Sequence, residues 1–173
     1  MKDNLQKILF ASPTNVYAIL DGAQVDGLRE KMFLTAAINY CLFPGDLEPD
    51  MATVAPYMVR LKPGTEFCDW LLDADLGKHW GIFAHSRHSI IDLRKHFRSL
   101  ASVHDEDGRP MKFRFYDPRV LHKYLPTCNG SELKTFFGPI DAFFAESGAE
   151  TLTSYSLENA ELRRSDLNVT SEK

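Results

Sequence analysis

The sequence predicts an α/β fold: a mixed sheet with flanking helices plus a small helical C-terminal lobe. Three observations carry that expectation. Short apolar runs rich in Val, Ile, Tyr and Phe alternate with segments whose apolar residues recur at helical spacing. Gly and Pro pairs punctuate the boundaries. The chain has 173 residues and is 44% hydrophobic, enough for one core with a small lobe attached.

The elements follow in order. Residues 1–12 place Leu5, Ile8 and Leu9 at helical spacing, and Pro13 ends that helix. Residues 15–20 read as a buried strand that stops at Asp21-Gly22. Residues 25–37 carry Leu28, Met32 and Phe33 at helical intervals, so the two form a β-then-α unit. The apolar run 38–43 ends at Pro44-Gly45, and a polar loop with Asp46, Glu48 and Asp50 follows. Residues 56–61 make a strand with Pro at its first position, where no ladder donor is needed. An amphipathic helix over 65–77, with Phe67, Trp70, Leu71 and Leu72 inward, is closed by Gly77. Residues 80–84 are a further strand. Ser89 is placed to cap a helix whose face is Ile90, Leu93, Phe97 and Leu100. The run Asp105-Glu106-Asp107-Gly108 signals a hairpin whose second strand spans 111–116. Helices are expected over 131–137 and, after Gly138-Pro139, over 140–146. Residues 151–157 have strand composition, and from about Asp166 on the polar tail is expected to be disordered.

Composition excludes several roles. Net charge is −4 and no Lys/Arg run forms a basic stripe, which argues against a nucleic-acid partner. Cys41, Cys68 and Cys128 are odd in number and lack zinc-ligand or redox spacing, which fits a reducing compartment. Residues 1–12 are too polar for a secretory signal, and no apolar run approaches the ~20 residues of a bilayer span. The expectation is a cytoplasmic protein with no direct membrane insertion.

Residues 113–121, Phe-Arg-Phe-Tyr-Asp-Pro-Arg-Val-Leu, are the most informative segment. As a strand they would put Phe113 and Phe115 on one face and Arg114 and Tyr116 on the other. Asp117 stands where an N-cap belongs, Pro118 is pre-set for the first helical turn, and Arg119, Val120, Leu121 and Leu125 follow. One reading is structural: Asp117 caps a helix, and Arg114 or Arg119 pairs with a carboxylate such as Asp21. The other is functional: the two arginines flank a helix N-terminus and catch an acidic group of a partner.

This segment closely resembles the Arg-Phe-Tyr-Asp-Pro-Arg core of the type VI secretion adaptor chaperones. Residues 17–23 (Tyr-Ala-Ile-Leu-Asp-Gly-Ala) resemble that family's opening strand. Residues 40–45 resemble its next segment, usually ending Leu-Phe-x-Gly. Residues 55–59 resemble its Ala-Pro-Tyr-Leu strand, with Met58 where Leu is commoner, and residues 81–89 with the following helix resemble the block before the core. The likeness runs over roughly residues 15–145. It implies an α/β domain with a helical C-terminal part and no known chemistry. It also implies two partners, a cognate type VI effector protein and the VgrG spike protein onto which the effector is loaded.

Other residues compete for a role. His79, His85 and His88 cluster, but in a strand-to-helix loop without an adjacent Cys, Asp or Glu, so no metal site is expected. Asp21 at a strand end could be catalytic, and a small enzyme using Asp21 with Arg114 and Arg119 on an anionic substrate is the alternative function. A second is an interaction module unrelated to secretion. No nucleophile elbow, Walker loop or dinucleotide glycine pattern names a reaction or a cofactor. Phe136, Phe137, Phe143 and Phe144 crowd together with Leu133 and Ile140. They are either core on two faces or an exposed aromatic patch that clasps an effector. The organisation expected is a lead-in over 1–14, an α/β adaptor domain over 15–125, a helical lobe over 126–150, and a strand-like segment with a polar tail over 151–173. A cleft between domain and lobe, with Arg114, Asp117 and Arg119 at its wall, is the expected binding site.

Overall fold

The computed structural model describes residues 1–74, 76–104 and 107–170. Its strands are β1 (Asn15–Asp21), β2 (Asn39–Cys41), β3 (Pro56–Leu61), β4 (Gly81–Ser86), β5 (Ser102–His104), β6 (Pro110–Lys112), β7 (Ala142–Glu146), β8 (Thr151–Glu158) and β9 (Glu161–Asn168). Seven of them form one sheet in the order β2-β3-β1-β4-β7-β8-β9, while β5 and β6 make a separate ribbon. The helices are α1 (Lys2–Leu9), α2 (Leu28–Leu34), α3 (Pro49–Val54), α4 (Glu66–Asp73), α5 (Ile90–Ala101), α6 (Pro118–Tyr124) and α7 (Gly130–Phe137).

The class is α/β, as the alternation of runs implies, yet every neighbouring pair in the sheet is antiparallel. The reason lies in the two βαβ units. β1 and β2 run the same way but have β3 between them. β3 and β4 run the same way but have β1 between them. Each unit is split, and each fills the other's gap with a strand of opposite direction.

The central strands are buried on both faces. Tyr17 and Ile19 of β1 point to a core shared with α5, α6 and α7, while Val16, Ala18 and Leu20 point to one shared with α1, α2 and α4. Helices therefore cover both sides of the sheet. In α2, Leu28 and Met32 are buried but Phe33 is 84% exposed. α4 stops at Asp73, short of Gly77. α5 begins at a capping box in which Ser89 and Asp92 exchange side-chain and backbone bonds.

Three expectations are corrected. The helix expected over 140–146 is the strand β7, with Phe143 in one core and Phe144 in the other. The four-residue run Ala142 to Ala145, apolar on both sides, satisfies a doubly covered strand as well as a buried helix, and periodicity cannot separate them. The tail is ordered beyond Asp166, since β9 extends to Asn168 on a hairpin with β8. The hairpin signalled near Gly108 exists as the β5–β6 ribbon, but its return strand ends at Lys112, before the Phe113–Leu121 segment. Asp105 and Glu106 of that turn lie outside the described residues, as do residues 171–173.

Candidate functional site

Asp21 ends β1, where its N–H donates to Trp80 O (2.8 Å) and the Gly22 N–H donates to Ala55 O (3.1 Å). Gly22 is obligatory at this crossing, because a Cβ there would run into the carbonyls of Thr53 and Ala55. The Asp21 side chain is thereby held inside the sheet end, 2% exposed. Its Oδ1 accepts from the Ala23 N–H (3.0 Å) and its Oδ2 from Arg114 Nη2 (2.5 Å).

Residues 113–116 leave β6 without forming a strand, and the Asp117 N–H closes a turn onto Arg114 O (3.0 Å). This corrects the expected alternation of faces. Phe115 and Tyr116 are both buried, and Arg114 alone reaches outward. Asp117, 3% exposed, caps α6, with Pro118 in its first turn. Asp117 Oδ1 accepts from the Arg119 N–H (2.9 Å) and Nε (3.0 Å), and Oδ2 accepts from Arg119 Nη2 (2.7 Å). Arg114 Nη2 stands 3.5 Å from the same oxygen. Two buried carboxylates thus hold two half-exposed guanidiniums, one of them in a bidentate fork.

The electrostatics agree with the geometry. Burial pushes the Asp117 carboxyl up, but hydrogen bonds and charge from Arg119, with the charge of Arg114, outweigh it and hold the group below the usual carboxylate value. Tyr116 is pushed up to about 12, first by burial and then by the Asp21 charge, so its phenol stays protonated.

Two residues that the sequence does not mark complete this end of the molecule. Glu146, at the end of β7, accepts the N–H groups of Gly77 (2.7 Å) and His79 (2.6 Å). His79 Nδ1 lies 2.7 Å from Glu146 Oε1 but without hydrogen-bond geometry. His122 of α6 reaches Glu146 O through Nε2 (2.8 Å) and Tyr155 Oη through Nδ1 (2.7 Å). The carbonyl can only accept, so Nε2 carries the proton. His122 falls three residues after Arg119, on the same side of the helix, which is the one signal that could have found it.

The histidine cluster disperses. His79 precedes β4, His85 lies within it and His88 follows it, so only the last is in the expected strand-to-helix loop. His85 is buried against Phe144 (ring centroids 4.5 Å apart), and burial lowers its pKa, leaving a neutral ring. No cluster suited to a metal ion occurs among the described residues.

The four phenylalanines form no exposed patch. Phe136, Phe137, Phe143 and Phe144 are each less than 10% exposed. Phe136, Phe137 and Phe143 form one aromatic cluster with centroids 5.2–6.3 Å apart. α7 ends at Gly138 and keeps Phe136 and Phe137, while β7 carries Phe143 and Phe144 on opposite faces of the sheet, so the four make no single helix stripe.

An open apolar groove lies elsewhere, at the same end of the sheet as Asp21. This groove of about 570 Å³ runs between the β2–α3 loop, α5 and the β5–β6 ribbon. Leu42, Phe43, Leu47 and Ala101 form its floor, and Met51 and Met111 stand at its rims, 39% and 50% exposed. Arg98 fixes one wall by donating to Cys41 O (3.0 Å) and Phe43 O (3.2 Å). The Lys112 ammonium sits 4.0 Å over the Phe43 ring. Asp46 and Glu48 lie exposed on the adjoining loop, and Asp50, expected there too, lies exposed in the first turn of α3. Arg114, Asp117 and Arg119 do not line this groove.

No helix among the described residues is long and apolar enough to cross a membrane. Neither a curated protein nor a solved structure matches the chain. A family model does match, over residues 16–135, a span that runs from β1 into α7 and takes in Asp21, both arginines and the groove. The chain therefore belongs to the family described as domain of unknown function (DUF4123).

Proposed function

We propose that this protein is a type VI secretion adaptor chaperone that binds a cognate toxin effector in the cytosol and loads it onto a VgrG spike protein. Family membership, together with the Phe113–Leu121 likeness, supports the class of role. One observation favours binding over chemistry. The charged residues of the signature are matched to one another, while the groove presents an open apolar surface with flexible methionines at its rims. A standard interface needs about 800 Å² from each partner. That is less than a tenth of the 9620 Å² this chain exposes, and the groove would supply the apolar centre of such an interface.

In this reading an apolar segment of the effector fills the groove, and the ion-pair cluster keeps the groove's walls in place. The test is affinity purification of the tagged chain from cells that express candidate effectors and VgrG proteins. Wild type is expected to retain a larger effector at one-to-one stoichiometry, and Met51→Asp/Met111→Asp to lose it while staying folded. A chain that emerges alone, or turnover of an anionic substrate that depends on Asp21, would overturn the reading.

A further inference from the structure

The two edges of the sheet are finished differently. β2 is three residues long, and Arg98 lies across its open side at the carbonyls of Cys41 and Phe43. A short, covered edge is protected against pairing. β9 is eight residues long, without Pro or Gly, and among the described residues it pairs only with β8.

The hairpin register fixes which main-chain groups of β9 are open. Asn159 and Ala160 join the strands with φ of 51° and 66°, the left-handed pair of a two-residue turn. Glu158 and Glu161 beside such a turn form a hydrogen-bonded pair, and bonded and non-bonded pairs alternate from there. The far end keeps the same phase, since the Val169 N–H donates to Glu150 O (2.9 Å). Glu161, Arg163, Ser165 and Leu167 therefore bond to β8. The main-chain groups of Leu162, Arg164, Asp166 and Asn168 face outward.

We propose that a second copy of this chain pairs with that edge, β9 against β9, antiparallel about Ser165. In this register Arg164 of each copy faces Asp166 of the other in a hydrogen-bonded pair, and Leu162 faces Asn168. The two Ser165 residues meet as a non-hydrogen-bonded pair on the twofold axis. A shift of one residue in the position of that axis, either way, sets Arg164 against Arg164 or Asp166 against Asp166, and like charges directly opposite are destabilising. The order of charges along β9 is self-complementary in the Ser165 register and repulsive in the two beside it. In the single chain Arg164 contacts its own Asp166 at 3.3 Å with both side chains about half exposed. The guanidinium can therefore swing across the axis. The result is an isologous dimer whose two seven-stranded sheets form one.

The experiment is sedimentation equilibrium of the full chain from low-micromolar to high-micromolar concentration, with circular dichroism to confirm folding. Wild type is expected to dimerise. Arg164→Asp and Asp166→Arg should each weaken self-association on the order of tenfold, and the double exchange should restore it. Ser165→Cys should form an intermolecular disulfide under mild oxidation, because a non-hydrogen-bonded pair sets the Cα atoms about 4.5 Å apart. Ser131→Cys and the wild-type thiols are the controls. The proposal is overturned by a wild-type monomer at every concentration. It is equally overturned by a double exchange no better than the singles, or by Ser165→Cys linking no faster than Ser131→Cys. Capture of a foreign strand by a chain that never self-associates also counts against it.

Discussion

The ion-pair cluster and the apolar groove occupy the same end of the sheet and share a stretch of chain, yet they are built on opposite principles. Met111 and Lys112 line the groove, and a few residues later Arg114, Asp117 and Arg119 form the cluster. In the cluster, charge is buried and therefore matched, with each carboxylate oxygen given a donor. In the groove, apolar surface is left open and the rims carry adaptable side chains. The difference teaches that the most recognisable motif of a chain need not be the part that touches a partner. Here its ion pairs follow directly on the segment that walls the groove.

The comparison breaks first if the cluster is not structural. Asp117→Ala removes the cap of α6 and the anchor of two guanidiniums, and about 2–4 kcal/mol should be lost in urea unfolding. Wild-type stability in that variant would mean the arginines are held for another purpose. Gly22→Ala tests the sheet end that carries Asp21. Its methyl group meets backbone on two sides, so a loss of roughly 1–3 kcal/mol is expected by the same method.

Acid sharpens the contrast further. The Asp117 carboxyl is depressed in the folded chain, so its stabilisation is complete above the unfolded value of about 3.9 and is lost as pH falls through the folded value. Unfolding midpoints followed downward from pH 5 should fall less steeply in Asp117→Asn than in wild type, and parallel curves would remove Asp117 from the account. The smallest stability effect belongs to the groove. Met51→Asp/Met111→Asp should change stability by no more than about 0.5 kcal/mol per site, because both side chains are already well exposed. The same variant should nonetheless lose the retained partner, and its unimpaired capture would move the binding surface elsewhere.

Local chemistry made part of this legible in the sequence. Ser89 and Asp117 read as caps because each precedes a run with helical spacing, and both are caps. Pairing of Arg114 with Asp21 was one of two open readings, and the structure brings those residues together across 93 positions. What failed to show depends on distance or on missing turn signals. The groove joins Met51 of α3 to Met111 of β6, which are far apart in sequence, and no local pattern links them. β7 hid because its first four residues, Ala142 to Ala145, are apolar toward both covered faces. The β8–β9 hairpin hid because its turn is Asn159-Ala160 instead of Asn-Gly, and because a strand reading Glu-Leu-Arg-Arg-Ser-Asp looks like a solvated tail.

The interleaving of the two βαβ units bears on how the chain is born. β1 closes the gap between β3 and β4, and β3 closes the gap between β1 and β2. Neither unit can be completed alone as the chain leaves the ribosome. Until residues 56–61 have emerged, the nascent chain carries Val16 to Leu20 as an apolar strand without its partner β3, and the other edge of β1 stays open until β4 is complete at Ser86. The interval between the synthesis of Asp21 and that of Ser86 is therefore one in which the chain is exposed to aggregation.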